Sequence, residues 1–108
     1  MAKVDTTREY SEESADYYLA YLEDEWNTVP EYAEWWPELD AVEKEVIQME
    51  WAIPQGRLAE VREWSVKGLL TPEQQARYEA LLKLIEQHRP TLERLFHEEE
   101  PTEERKAA

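Results

Sequence analysis

The chain contains no cysteine, which excludes a disulfide framework and any thiolate-ligated metal site. Its two glycines, Gly56 and Gly68, cannot build a phosphate-cradling loop or a dinucleotide fingerprint. No apolar run approaches the roughly 18 residues of a membrane span. The first residues, Met1 to Asp5, lack the apolar segment of a secretory signal. A soluble, cytoplasmic protein is expected.

The most informative absence is of positive charge. Between Arg8 and Lys44 lie 35 residues with twelve carboxylates, eight aromatic side chains and no Lys or Arg. A helix accommodates mixed charges on its wet face more comfortably, because like charges three and four residues apart repel. Residues 1–53 carry fifteen acids against three bases, a balance of −12. Residues 54–97 carry six acids against seven bases, and residues 98–108 five against two, which completes the net charge of −14. Such a field repels nucleic acid and anionic membrane and attracts basic protein.

What is present in abundance favours helix. Ala, Leu, Glu, Lys, Gln and Arg dominate, and strand-like alternation is missing. Pro37, Pro54, Pro72 and Pro90 stand 17 or 18 residues apart and read as punctuation between helices. Ser11, or Thr7 one turn earlier, suits the cap of a first helix ending near Asn27. Within it Ala15, Tyr18, Leu19, Leu22 and Trp26 form one apolar stripe. Glu31 to Trp36 reads as a short link or one loose turn, with Pro37 opening the second helix. There Leu39, Val42, Val46, Met49 and Ile53 alternate spacings of three and four, a seam expected to face the core, with Ile47 and Trp51 widening it. Pro54-Gln55-Gly56 reads as a turn, followed by a third helix over 57–67 that buries Leu58, Val61 and Trp64. Gly68 falls where a left-handed residue ends a helix, with Leu69 folding back on Trp64. Thr71-Pro72-Glu73-Gln74 has the composition of a reciprocal cap. The fourth helix buries Tyr78, Leu81, Leu82 and Ile85, and its wet face offers the pairs Glu73–Arg77 and Glu79–Lys83. Leu92, Leu95 and Phe96 keep its phase beyond Pro90, where a kink or break is expected.

The fold class expected is therefore all-α, a small antiparallel bundle of four principal helices with the last one kinked or broken at Pro90. The division expected is an N-terminal arm over 1–10, a helical domain over 11–97 and an acidic, unpacked tail over 98–108.

Chemistry finds little support. No serine lies in a nucleophile-elbow context, and the abundant carboxylates show no contrast of environment that would divide acid from base. His88 continues the apolar phase of Tyr78, Leu81 and Ile85, and His97 sits four residues after Glu93 near the helix end. Neither has the Glu-x-x-His spacing of a helical di-metal site. No cofactor, no metal and no enzymatic activity are expected.

The aromatic residues divide. Trp26, Trp51, Trp64 and Phe96 lie on apolar stripes and read as core. Tyr17 and Tyr21 lie on the other side of the first helix, among Glu12, Glu13, Asp16, Glu23 and Asp24. Trp35 and Trp36 are adjacent, so they point about 100° apart and only one can face the core. Rigid amphipathic rings beside carboxylates suit contact with a Lys- or Arg-rich protein surface. The partner-binding residues read from the sequence are Glu12, Asp16, Tyr17, Tyr21, Glu23, Asp24, Tyr32, Trp35 and Trp36. The function expected is a non-enzymatic acidic interaction module for a basic partner protein, of which an inhibitor, an antitoxin-like protein or a nucleic-acid mimic are particular forms. The alternatives are a structural module that self-associates as a homo-oligomer through Trp35, Trp36 or a leftover apolar stripe, and a small helical metal-binding enzyme using His88.

Overall fold

A computed structural model describes residues 10–99, with the side chains described as far as His97. The arm over 1–10, apart from Tyr10, and the tail from Glu100 onward lie outside the described residues. The described chain is helical throughout, with no strand. Its segments are α1 (Glu12–Asn27), α2 (Val29–Trp35), a 3₁₀ turn (Trp36–Glu38), α3 (Ala41–Glu50), α4 (Ala52–Val66) and α5 (Pro72–Glu99).

These segments make three arms, not the four principal helices expected. The ends that stop an arm carry well-formed caps. Ser11 opens α1 by accepting the Ser14 amide at 3.0 Å. Asp40 opens α3 with a reciprocal box, its carboxylate accepting the Glu43 amide at 2.8 Å while Glu43 accepts the Asp40 amide at 2.9 Å. Gly68, at φ 73°, closes α4 with two backbone bonds, Gly68 to Ser65 at 3.0 Å and Leu69 to Trp64 at 2.9 Å. Thr71 and Gln74 open α5 by exchanging bonds of 3.1 Å, as the motif implies.

The two other junctions are bends within an arm. Thr28 keeps helical backbone (φ −84°, ψ −13°) between α1 and α2, so Glu31 to Trp35 is part of a two-turn helix and not a loose link, and Trp36 begins the 3₁₀ turn. Trp51 does the same (φ −66°, ψ −13°) between α3 and α4. The turn expected at Pro54-Gln55-Gly56 does not form. Pro54 occupies the first turn of α4, where the amide it lacks has no intrahelical acceptor in any case. Pro37 likewise lies in the 3₁₀ turn and does not open α3.

α5 passes through Pro90 without a break. Pro90 removes the amide that would bond the Glu86 carbonyl, but both residues are exposed and solvent can satisfy that oxygen.

The core lies where α1 meets α4 and α5. Ala15, Leu19, Leu22 and Trp26 of α1 are buried together with Trp51, Val61, Trp64, Tyr78, Leu81 and Ile85. Each large side chain so buried stabilises the fold by roughly 1.5–3 kcal/mol. Tyr18 stacks on Trp64 at 5.5 Å and Trp26 meets Trp51 edge-on at 5.3 Å, geometries that aromatic quadrupoles favour. Leu82 is exposed, against expectation, because Tyr78, Leu81 and Ile85 already fill the inward face.

The largest departure concerns α3, which buries none of its residues. The seam expected to face the core faces out. Val42, Val46, Met49 and Ile53 are each between 44% and 68% exposed, while Ile47 is half-buried and Trp51 buried. At 100° per residue the seam lies nearly opposite Trp51, so burying the tryptophan turns the seam to solvent. A fourth helix would have covered it. Among the described residues there are three arms and no further helix to cover it.

Candidate functional site: an acidic and aromatic face

The outer face of α1 is built by its own helical phase. Once Ala15, Leu19, Leu22 and Trp26 are buried, Glu12, Glu13, Asp16, Tyr17 and Asp24 must face solvent, and they are exposed. Tyr17 is 61% exposed, but it is not alone. The Arg57 guanidinium from α4 lies 4.6 Å from the Tyr18 ring centre, 5.3 Å from that of Tyr21 and 5.8 Å from that of Tyr17. A cation over three aromatic faces is a favourable arrangement, strongest where water is excluded. A shallow cleft of about 330 Å³ opens here between Glu13, Tyr17, Tyr18 and Arg57.

Two of the expected carboxylates are engaged within the fold. Arg77 of α5 donates to both oxygens of Glu23, at 3.1 and 3.2 Å, and its other terminal nitrogen is 3.5 Å from Asp16. This fork geometry is the stronger form of ion pair. The hydrogen bond to Glu23 holds Arg77 above its ordinary pKa. Arg77 thus reaches across to α1 and not along its own helix to Glu73.

Asp16 also accepts from the Gln74 side chain at 2.9 Å, and the same amide donates to the Glu12 carbonyl at 3.0 Å. Tyr10 donates to Gln74 Oε1 at 3.2 Å. Gln74 is the only buried polar residue of the described core. It caps α5 and ties it to the start of α1 at once. The capping pattern in the sequence located it, but nothing in the sequence showed its second role.

The remaining expected residues fall into a second cluster around α2. Trp35 is 47% exposed and Trp36 is 3% exposed, so Trp36 belongs to the core. Its ring tilts against Phe96 at 6.0 Å, and Lys44 lies 5.8 Å above it. Tyr32 meets Trp35 at 5.9 Å and Trp51 at 6.3 Å, both edge-on. Burial first, and then the Glu25 charge, push the Tyr32 hydroxyl up to about 12. Burial also raises Glu25, helped by Asp24 and by Glu50 from α3, while a hydrogen bond from Tyr32 opposes the rise. Glu25, Asp24 and Glu50 therefore join the acidic side of α1 to that of α3.

A separate cleft of about 390 Å³ lies between α1, α4 and α5, walled by Trp26, Trp51, Leu92 and Phe96 with Arg89 and His97 on its lining. His88 is half-buried outside that lining and His97 is exposed. Among the described residues no three His, Asp or Glu side chains are placed to hold a metal ion. No described helix is long and apolar enough to cross a membrane.

No protein-family model matches this chain, and neither a curated protein nor a solved structure shows significant similarity to it. The functional reading therefore rests on the residues themselves.

Proposed function

We propose that this protein is a non-enzymatic, acidic interaction module that binds a basic surface of a partner protein. The observation that carries the reading is the uncompensated charge of the first arm. Within residues 12–38 there are nine carboxylates and no base. Arg77 from α5 answers Glu23 and Asp16. Glu12, Glu13, Asp24, Glu31, Glu34 and Glu38 remain exposed, spread along α1, α2 and the turn that follows. Folding alone does not call for that concentration of one sign, whereas steering toward a cationic partner does.

Within the expected site the available contacts are Glu12, Asp24, Tyr17 and Trp35. Asp16 is exposed but shared with Arg77 and Gln74, Glu23, Tyr21 and Tyr32 are half-buried, and Trp36 supports that face from the core. The test is affinity capture from the source cell at low and moderate salt, with the wild-type chain beside Glu12→Gln/Asp24→Asn/Glu31→Gln/Glu34→Gln. Retention of a protein with a basic surface, released by salt and lost with the quadruple variant, is the expected result. Retention equal for both chains at both salts rejects the acidic face.

A second reading, self-association, draws on the outward seam of α3, the leftover apolar stripe that such a module needs. Sedimentation of the purified protein over a hundredfold range of concentration separates the two: the proposed module stays monomeric.

A further inference from the structure

The outward seam of α3 has a shape and a rim that narrow the partner further. Val42, Val46 and Met49, with Ile53 just past the bend, occupy successive turns on one side and are exposed on all of them. Twelve residues at 1.5 Å each make a strip of about 16–18 Å, three turns long. Scattered surface apolar residues need no explanation, but a continuous row at helical spacing is the form of a helix-docking face.

The rim of the strip is acidic on both sides. Glu45 borders one edge, and Glu43 and Glu50 border the other, all exposed. The only base of α3, Lys44, is on the opposite side, above the Trp36 ring. The next base along the chain, Arg57, is turned onto the tyrosines of α1. Glu25 of α1 and Glu50 line the same cleft, so the acids of α1 approach this rim. A second copy of the chain would bring these same acids face to face, and an anionic membrane would meet the same repulsion.

We infer that the α3 strip receives an amphipathic helix of the partner, about three turns long, whose apolar row is flanked by Lys or Arg. This inference rests on the reading of the protein as an acidic module for a basic partner, and it names the element recognised. The apolar rows interlock and hold the complex, while the opposed rims set its register and exclude an acidic helix. The α1 face then acts at longer range, by steering.

The experiment is a fluorescence-anisotropy titration with two synthetic helices of three to four turns. Both carry leucine at the a and d positions; one has Lys and Arg on its flanks and the other has Glu. The full-length chain is expected to bind the basic helix, to bind it at least tenfold more weakly when salt is raised from 50 to 300 mM, and to leave the acidic helix unbound. Val46→Ser/Met49→Ser should weaken binding at least tenfold with the melting temperature unchanged.

Equal binding by wild type and the double serine variant would overturn the inference. So would a large fall in melting temperature, since that places the strip under part of the same chain. A dimer, or retention on anionic or zwitterionic vesicles, that disappears in the double serine variant would assign the strip to a second copy or to lipid instead. The two readings fail separately. Loss of salt-sensitive partner capture with the α1 charge variant, together with no effect of Val46→Ser/Met49→Ser on the basic helix, leaves the acidic module standing and removes the strip.

Discussion

α1 and α3 are both amphipathic by sequence, each with one apolar row at spacings of three and four, yet they use those rows in opposite ways. α1 buries Ala15, Tyr18, Leu19, Leu22 and Trp26 against α4 and α5. α3 turns Val42, Val46 and Met49 to solvent and touches the rest of the fold through its other side. An apolar row at helical spacing therefore does not by itself place that face in the core of its own chain. The wet faces also differ. The outer side of α1 stays exposed at Glu12, Glu13, Tyr17 and Asp24 and is braced in part by Arg57 and Arg77, while the side of α3 expected to be core is open.

The sharpest way to break this comparison is to shorten one residue in each row. Leu19→Ala should lower stability by about 2–5 kcal/mol, since it leaves a cavity in the packed centre. Met49→Ala should change it by no more than about 0.5 kcal/mol, because Met49 is already 68% exposed. Chemical denaturation of both variants gives the two numbers, and similar losses would show that both rows are core.

The tie between α1 and α5 is tested next. Gln74→Ala removes the reach-back to Thr71 and the bonds to Glu12 and Asp16, and a cost of about 2–3 kcal/mol is expected from buried groups left unpaired. Thr71→Ala loses the cap alone and should cost about 1 kcal/mol. Equal losses by thermal melting would mean that Gln74 acts only as a cap. Gly68→Ala should cost roughly 1–2 kcal/mol from its positive φ alone, since a Cβ there meets no neighbouring atom.

These stops were legible because they are local. Thr71 with Gln74 and Gly68 with Leu69 act within a few residues, so their chemistry is written where they stand. Pro54 misled for a related reason: the same residue ends one helix or sits in the first turn of the next, and only the position of the bend at Trp51 decides between them. The direction of α3 depends on something still less local, the number of arms available to cover it. Arg57 over three tyrosines and Arg77 between Glu23 and Asp16 join residues 36 to 61 positions apart, and no spacing rule reaches that far. The acidic character of the first arm was legible by counting alone, whereas its division into braced and free carboxylates required the packing.

The smallest effect expected concerns Glu25, where the acids of α1 and α3 meet. Its pKa is raised in the folded protein, first by burial and then by Asp24 and Glu50. The folded state therefore holds this proton more tightly than the unfolded chain does. Stability from this group falls as pH rises through the raised value and is regained on acidification toward 4.5, the reverse of a salt-bridged carboxylate. Glu25→Gln should raise the melting temperature slightly at pH 7, since it removes a charge that burial, Asp24 and Glu50 all disfavour, and should make no such gain below pH 4. A loss of stability at pH 7 would mean that the Tyr32 hydrogen bond outweighs the repulsion.

The claim on which the comparison turns is that the α3 row is open in the free protein. Met49 reports on it directly, because an accessible thioether is oxidised by dilute peroxide and a buried one is protected. After brief treatment of the native chain, trypsin should release the peptide 45–57 with Met49 as its sulfoxide, formed nearly as fast as in the denatured chain and independently of protein concentration. Addition of the basic amphipathic helix should slow that oxidation. Protection of Met49 by more than about tenfold in the protein alone would show the row already covered, and would contradict the account.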